Sequence, residues 1–160
     1  MVLIYRENTS PLYGKKLVVM KTIKTIFKCA VLLCIGGIAY CCIETIWRGH
    51  THWTMFIVGG LAFLFCGAIN ELFDYEMPIW NQMLICACGI TIIEFIAGVI
   101  INLKFGLHVW DYSNLPFNIL GQICLPFSII WFFLSFLAIF LDDWIRYLFF
   151  EEEKPHYKFK

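Results

Sequence analysis

Charged residues are scarce in this 160-residue chain, at 15% of the sequence, and neither sign predominates because twelve basic residues balance twelve acidic ones. Soluble domains carry about 25% charged residues, so this shortage excludes an ordinary water-facing surface. A basic stripe with interleaved aromatic residues is also missing, and the sequence therefore predicts no nucleic-acid partner.

Motifs for nucleotide, metal and hydrolytic chemistry are missing as well. The chain has no glycine-rich phosphate loop, no His-Glu-x-x-His pattern and no serine nucleophile elbow. ATP hydrolysis is therefore not encoded, no cofactor is predicted, no catalytic residue is assigned, and a non-enzymatic role is favoured. All eight cysteines lie in apolar runs, where cysteine usually acts as a small hydrophobic residue, so a disulfide framework is not expected.

The chain instead contains long apolar runs. Hydrophobic residues make up 61% of the sequence and aromatic residues 18%, and the mean hydropathy is +0.76. A run of about 20 apolar residues crosses a hydrocarbon core of about 30 Å as a helix. Such runs cover residues 23–47, 53–73, 79–103 and 117–141. The sequence predicts an all-α integral membrane protein with four transmembrane helices and short outer loops, the last helix bent at Pro126.

The charged residues that remain are concentrated outside these runs. We expect residues 1–22 to form a cytoplasmic arm before the transmembrane domain at 23–141, and residues 142–160 to form an interfacial helix and a charged cytoplasmic tail. Ten of the twelve Lys and Arg residues lie near the two termini. By the positive-inside rule both termini are predicted to be cytoplasmic, in a multi-pass protein of the bacterial inner membrane, with loops 48–52 and 104–116 outside.

Three glutamates fall inside or at the ends of the predicted spans. Glu94 lies near the middle of the third span, where a charge is costly, and is the best candidate for a substrate or proton pathway. The alternative is a protonated or hydrogen-bonded packing residue. Glu44 is spaced for an i,i+4 ion pair with Arg48, and Glu71 is expected at the interface.

Amide side chains lie near the predicted outer ends of the third and fourth spans. Asn118 and Gln122 are four residues apart, so a helix would point them the same way, and Asn102 is placed to face them across the bundle. They are candidates for lining a ligand or ion site, and interhelical hydrogen bonding is the alternative.

Histidines and one aspartate gather in the predicted outer loops. His50, His52, His108 and Asp111 have the chemistry of metal ligands, but their spacing is weak evidence for a metal site. Solvated interfacial histidines are the favoured interpretation, and no metal is predicted.

Residues 110–131 carry the most specific pattern, WDYSNLPFNILGQICLPFSIIW, which runs from a polar loop into an apolar stretch. With Ile43, Glu44, Trp47 and Arg48, and with the Gly59, Gly60 pair, it resembles a family of small bacterial membrane proteins named as ABC transporter permeases, also called ABC transporter type IV or CmpB-like. The resemblance covers residues 36–131. The family's first loop commonly has an Asn-Arg-Gly stretch leading to Gly-Pro, which this chain lacks, so it resembles a divergent member.

The resemblance implies transport, and three roles are weighed. The first is a permease-like component of the lipid bilayer with a polar intramembrane site, acting as a homo-oligomer or with a separate ATPase or other membrane subunit. Its pathway candidates are Glu94, Asn102, Asn118, Gln122, Glu44, Arg48 and Asp111. The second is an intramembrane or lipid-modifying enzyme in which Asp111 and the outer histidines act as acid and base. The third is a non-catalytic membrane partner or regulator.

Overall fold

The computed structural model describes residues 11–73 and 77–159. In this part of the chain four helices are long and apolar enough to cross a membrane, which confirms the predicted fold class of an all-α integral membrane protein. The elements are α1 (Pro11–Arg48), α2 (Trp53–Leu72), α3 (Ile79–Gly98) continued by a π-helix (Val99–Lys104), a short hairpin of β1 (Asn118–Ile119) and β2 (Ile123–Cys124), and α4 (Leu125–Phe150).

The first helix is longer than its predicted span. It begins at Pro11, so the part of the expected arm that the structure describes, residues 11–22, is helical; residues 1–10 of that arm lie outside the described residues. At 1.5 Å per residue, the 38 residues of α1 are about 57 Å long, against about 30 Å for α2. Residues 14–27 of α1 are all exposed, so this part of the helix extends beyond the bundle.

The fourth helix is displaced relative to its predicted span of 117–141. It begins at Leu125 and continues to Phe150, so it includes most of the segment expected to be interfacial. Pro126 lies in its first turn, where a proline is tolerated because the N–H that it lacks would have no intrahelical partner. A proline in the first turn does not bend a helix, so the position of Pro126 gives no reason for the predicted bend.

Close approach of the helix backbones joins α1 to α2. A Cβ atom added at Gly60 would lie 2.6 Å from the carbonyl oxygen of Leu33, and one added at Gly36 would meet the Phe63 ring. Only glycine permits this separation. α1 packs mainly on α2, whereas α3 packs on both α2 and α4.

The bundle has two distinct ends. At the loop end, which carries loops 49–52 and 105–124, Arg48 Nη1 donates to the carbonyl oxygen of Val109 at 3.1 Å. At the opposite end, which we call the tail end, the segment after α4 folds back onto α3 and α4. The backbone N–H of Ile79 donates to the Lys158 carbonyl at 2.8 Å, and the centroid of the Tyr157 ring lies 5.7 Å from that of Phe140. The side of the membrane that each end faces stays a prediction.

Candidate functional site

Glu94 is buried in the bundle with both carboxylate oxygens hydrogen-bonded. It lies on α3 and is 4% exposed. The Tyr112 hydroxyl donates to Oε1 at 3.0 Å, and the Trp131 indole N–H donates to Oε2 at 2.9 Å. Both donors are neutral, so the three residues, hereafter the Glu94 site, carry no counter-charge for the carboxylate.

Tyr112 reaches this carboxylate from the loop between α3 and α4. Its ring stacks on Phe127 with centroids 4.5 Å apart, and its backbone N–H donates to the Gly121 carbonyl at 2.7 Å. Burial, reinforced by the nearby Glu94 carboxylate, raises the pKa of the Tyr112 phenol above its ordinary value. The phenol therefore stays protonated and acts as a donor.

A cavity of about 140 Å³ adjoins the Glu94 site, and residues of all four helices line it. The lining residues are apolar apart from Glu94 and the polar groups of Tyr40, Cys66 and Trp131, and the described residues that line the cavity include no Lys, Arg or His. The rings of Tyr40 and Trp131, both in the lining, have centroids 6.0 Å apart. We call this the central cavity.

Residues of α1 and α4 that line the central cavity are also exposed on the surface of the bundle. Three of its lining residues are exposed: Ile43 by 47%, Leu137 by 59% and Leu141 by 41%. Exposed apolar side chains on a membrane-spanning surface face lipid. These three residues form what we call the lateral mouth.

Asn102 and Gln122 meet, as their predicted positions imply, but they hold the loop in place and do not line the cavity. Asn102 Nδ2 donates to Gln122 Oε1 at 2.8 Å and to the Trp110 carbonyl at 3.0 Å, while its Oδ1 accepts from the Val109 N–H at 2.7 Å. The Trp110 indole donates to the Gln122 carbonyl at 2.9 Å. These buried polar groups are satisfied by one another, which fits the alternative of structural hydrogen bonding.

Asn118 and Asp111 stabilise turns at the surface of the same loop. Asn118 does not lie on a helix: it pairs with Cys124 in the β-hairpin, and its side-chain amide donates to the carbonyls of Ser113 and Leu115. Asp111 is exposed and accepts from the Ser113 hydroxyl and N–H. These two hydrogen bonds lower the pKa of the Asp111 carboxyl.

The predicted pair of Glu44 and Arg48 forms at the loop end of α1 and is confirmed. Glu44 is buried and also accepts from the Thr51 hydroxyl. Arg48 extends from this pair to the Val109 carbonyl, so the ion pair ties α1 to the loop that delivers Tyr112. It lies outside the lining of the central cavity.

The histidines make separate local contacts. His50 Nδ1 lies 3.1 Å from the Arg48 carbonyl, and His52 caps α2 by accepting from the Thr54 N–H at 3.4 Å. His108 is exposed with a positive φ of 48°. Across residues 11–73 and 77–159, no group of three or more His, Cys, Asp and Glu side chains is arranged to hold a metal ion.

A charged cluster at the tail end was not predicted as a unit. Its members, hereafter the tail-end cluster, come from α1, α2, α4 and the tail: Lys28, Asn70, Glu71, Asp142, Asp143, Arg146 and Glu152. Lys28 Nζ lies 2.7 Å from both Glu71 Oε1 and Glu152 Oε1. Arg146 pairs with Asp142 and Glu71. The i,i+4 spacing of Asp142 and Arg146 is the one signal of this cluster in the sequence.

A model of the family described as putative ABC-transporter type IV matches residues 6–155. No curated protein and no solved structure matches the chain.

Proposed function

The chain belongs to this ABC-transporter type IV family, since the family model covers most of its length, and on that premise we propose that it is a permease-like transport subunit whose pathway passes the Glu94 site. Four apolar helices and the family together fit a multi-pass membrane component of a transport system.

One observation carries this proposal: a buried carboxylate with only neutral donors borders a cavity that all four helices share. Ionisable groups within membrane spans are costly, and they typically mark substrate, ion or proton pathways. A packing role is served equally well by Gln, whereas a group that binds or releases a proton or a cation needs the carboxyl.

A transporter built from this chain needs an external energy source and further subunits. The sequence contains no phosphate loop, so a transporter of this class needs a separate ATPase or an ion gradient. Four helices enclose little space between them, and association into a homo-oligomer or with a further membrane subunit supplies the remaining walls. We place the tail end, with most of the basic residues, on the cytoplasmic side of the inner membrane.

The experiment is transport by inverted membrane vesicles from the source organism, which retain any native ATPase. The vesicles contain the wild-type chain, Glu94→Gln, or Glu153→Gln as a matched control at an exposed acid. They are energised with ATP and offered radiolabelled organic cations, organic anions and neutral sugars. We expect at least one solute to accumulate in wild-type and control vesicles and to fall about tenfold with Glu94→Gln. No flux above vesicles lacking the chain, or unchanged flux with Glu94→Gln, contradicts the proposal.

A further inference from the structure

The chemistry of the central cavity indicates the class of molecule that it takes. We propose that it binds a lipophilic organic cation, a quaternary or protonated amine with an apolar body of about one aromatic ring. This inference rests on the proposed function, because it assigns a substrate class to the same site. Charge, aromatic lining, size and access support it separately.

The two oxygens of Glu94 have lone-pair sites that the hydrogen bonds from Tyr112 and Trp131 leave open. A carboxylate offers about four lone-pair sites, and the two hydrogen bonds from Tyr112 and Trp131 occupy two of them. No described residue lining the cavity supplies a positive charge. When Glu94 is ionised, an uncompensated carboxylate in a medium of low dielectric constant is unfavourable, so a cation in the adjoining space is stabilised there and an anion is repelled.

The aromatic rings suit an organic cation better than a metal ion. Tyr40 and Trp131 both line the cavity beside Glu94, with a 38° angle between their ring planes. Tyr and Trp rings attract ammonium groups through their negative faces, and aromatic linings of this kind recognise quaternary ammonium ligands. A hard metal cation needs about six oxygen ligands, and the cavity provides one carboxylate and one phenol.

The size of the cavity sets the scale of the apolar body. A volume of about 140 Å³ is close to that of an engineered apolar cavity, roughly 150 Å³, that holds benzene in another protein. The lining on α4 runs from Trp131 to Leu141, which is about 15 Å along the helix axis. A ligand can thus place its charged group beside Glu94 and its apolar part along α4 toward Leu137 and Leu141.

Access is from the bilayer. The lateral mouth of Ile43, Leu137 and Leu141 is apolar and exposed on the side of the bundle, and α1 packs mainly on α2 and only slightly on α4. Amphipathic amines partition into membranes, where such a mouth is directly reachable. Strongly hydrated solutes such as sugars would lose their hydration on this route without gaining hydrogen bonds in return.

The test uses two ligands of the same shape and different charge. Benzyltrimethylammonium carries a permanent positive charge, and neopentylbenzene replaces its nitrogen with carbon. Binding of each to the purified full chain in nanodiscs is measured with radiolabelled ligand, in wild type and in Glu94→Gln. We expect the wild type to bind the cation at least about tenfold more tightly than the neutral compound. Glu94→Gln should remove that preference while the affinity for neopentylbenzene stays within about twofold.

Two further variants keep the test decisive. Glu153→Gln removes an exposed acid outside the cavity and should leave both affinities unchanged. Tyr40→Leu keeps Glu94 and removes one ring, and it should weaken the cation more than the neutral compound; it also replaces Glu94→Gln if that variant does not fold. Equal affinities in the wild type, or a preference for the cation that survives both Glu94→Gln and Tyr40→Leu, overturns the inference.

The binding test and the vesicle test distinguish the substrate class from the transport role. Selective binding of the cation without any vesicle flux leaves the binding site in place and contradicts the transport role. Vesicle flux that depends on Glu94, without selective binding of the cation, supports the transport role and overturns the substrate class.

Discussion

The indole N–H of Trp131 on α4 donates to Glu94 Oε2 on α3 at 2.9 Å, in a buried contact between side chains 37 positions apart in sequence. Both residues line the central cavity. The hydrogen bond couples the packing of the two helices to the environment of the carboxylate.

Replacing Trp131 by Phe should destabilise the bundle. The variant keeps an aromatic ring but leaves one oxygen of Glu94 buried without its donor, which costs about 1–3 kcal/mol. Denaturant unfolding in detergent, followed by circular dichroism, measures the loss. Trp47→Phe makes the same change at a residue that is 76% exposed, and should be close to neutral; equal losses in both variants would contradict a specific role for the indole N–H.

Gly60→Ala should disrupt the contact between α1 and α2. The added Cβ would lie 2.6 Å from the Leu33 carbonyl oxygen, so the helices must separate, at a cost of about 1–3 kcal/mol. Gly14 on the extended part of α1 has nothing within 4 Å of an added Cβ, and Gly14→Ala should be neutral or slightly stabilising. Thermal unfolding of the two variants in detergent makes the comparison, and an undiminished melting temperature for Gly60→Ala would refute the close packing.

Asn102→Ala should loosen the loop at residues 105–124 while leaving the helices folded. The change removes two donated hydrogen bonds and leaves the Val109 N–H without its acceptor, at about 1–3 kcal/mol for each buried group left unpaired. Hydrogen exchange of the backbone amides in the loop measures this loosening. Asn114→Ala, at an exposed position of the same loop, is the control; if the two variants exchange at the same rate, Asn102 does not hold the loop.

Arg146→Gln should be the most destabilising of these changes. It leaves Asp142, which is fully buried, without its counter-charge, and loss of one partner from a buried ion pair costs about 3–5 kcal/mol. Adding Asp142→Asn to the variant should restore part of that loss, as unfolding of single and double mutants would show. Purely additive losses would mean that the two side chains do not act as a pair.

Local spacing explains which contacts could be predicted. Residues four apart on a helix share a face, so the ion pairs of Glu44 with Arg48 and of Asp142 with Arg146 follow from the sequence, and both are formed. Four apolar runs likewise suffice to predict four helices able to span a membrane, because hydropathy and length determine that ability.

Contacts distant in sequence were not predictable in this way. The donors to Glu94 lie 18 and 37 residues away, and Lys28 meets Glu152 across 124 residues. No helix or strand periodicity in the sequence could predict contacts over such separations. The stretch after Pro116 is apolar enough to be taken for a helix. Its backbone instead has positive φ at Phe117, Leu120 and Gly121, and it forms the hairpin that carries Asn118.

An infrared difference spectrum of the full chain in nanodiscs, recorded on addition of benzyltrimethylammonium, tests directly whether Glu94 engages the cation. We expect a carboxyl or carboxylate band that changes in the wild type and in Glu153→Gln, and that is absent from Glu94→Gln. Difference spectra that are the same in wild type and Glu94→Gln would contradict this expectation, because the cation would then bind without engaging Glu94.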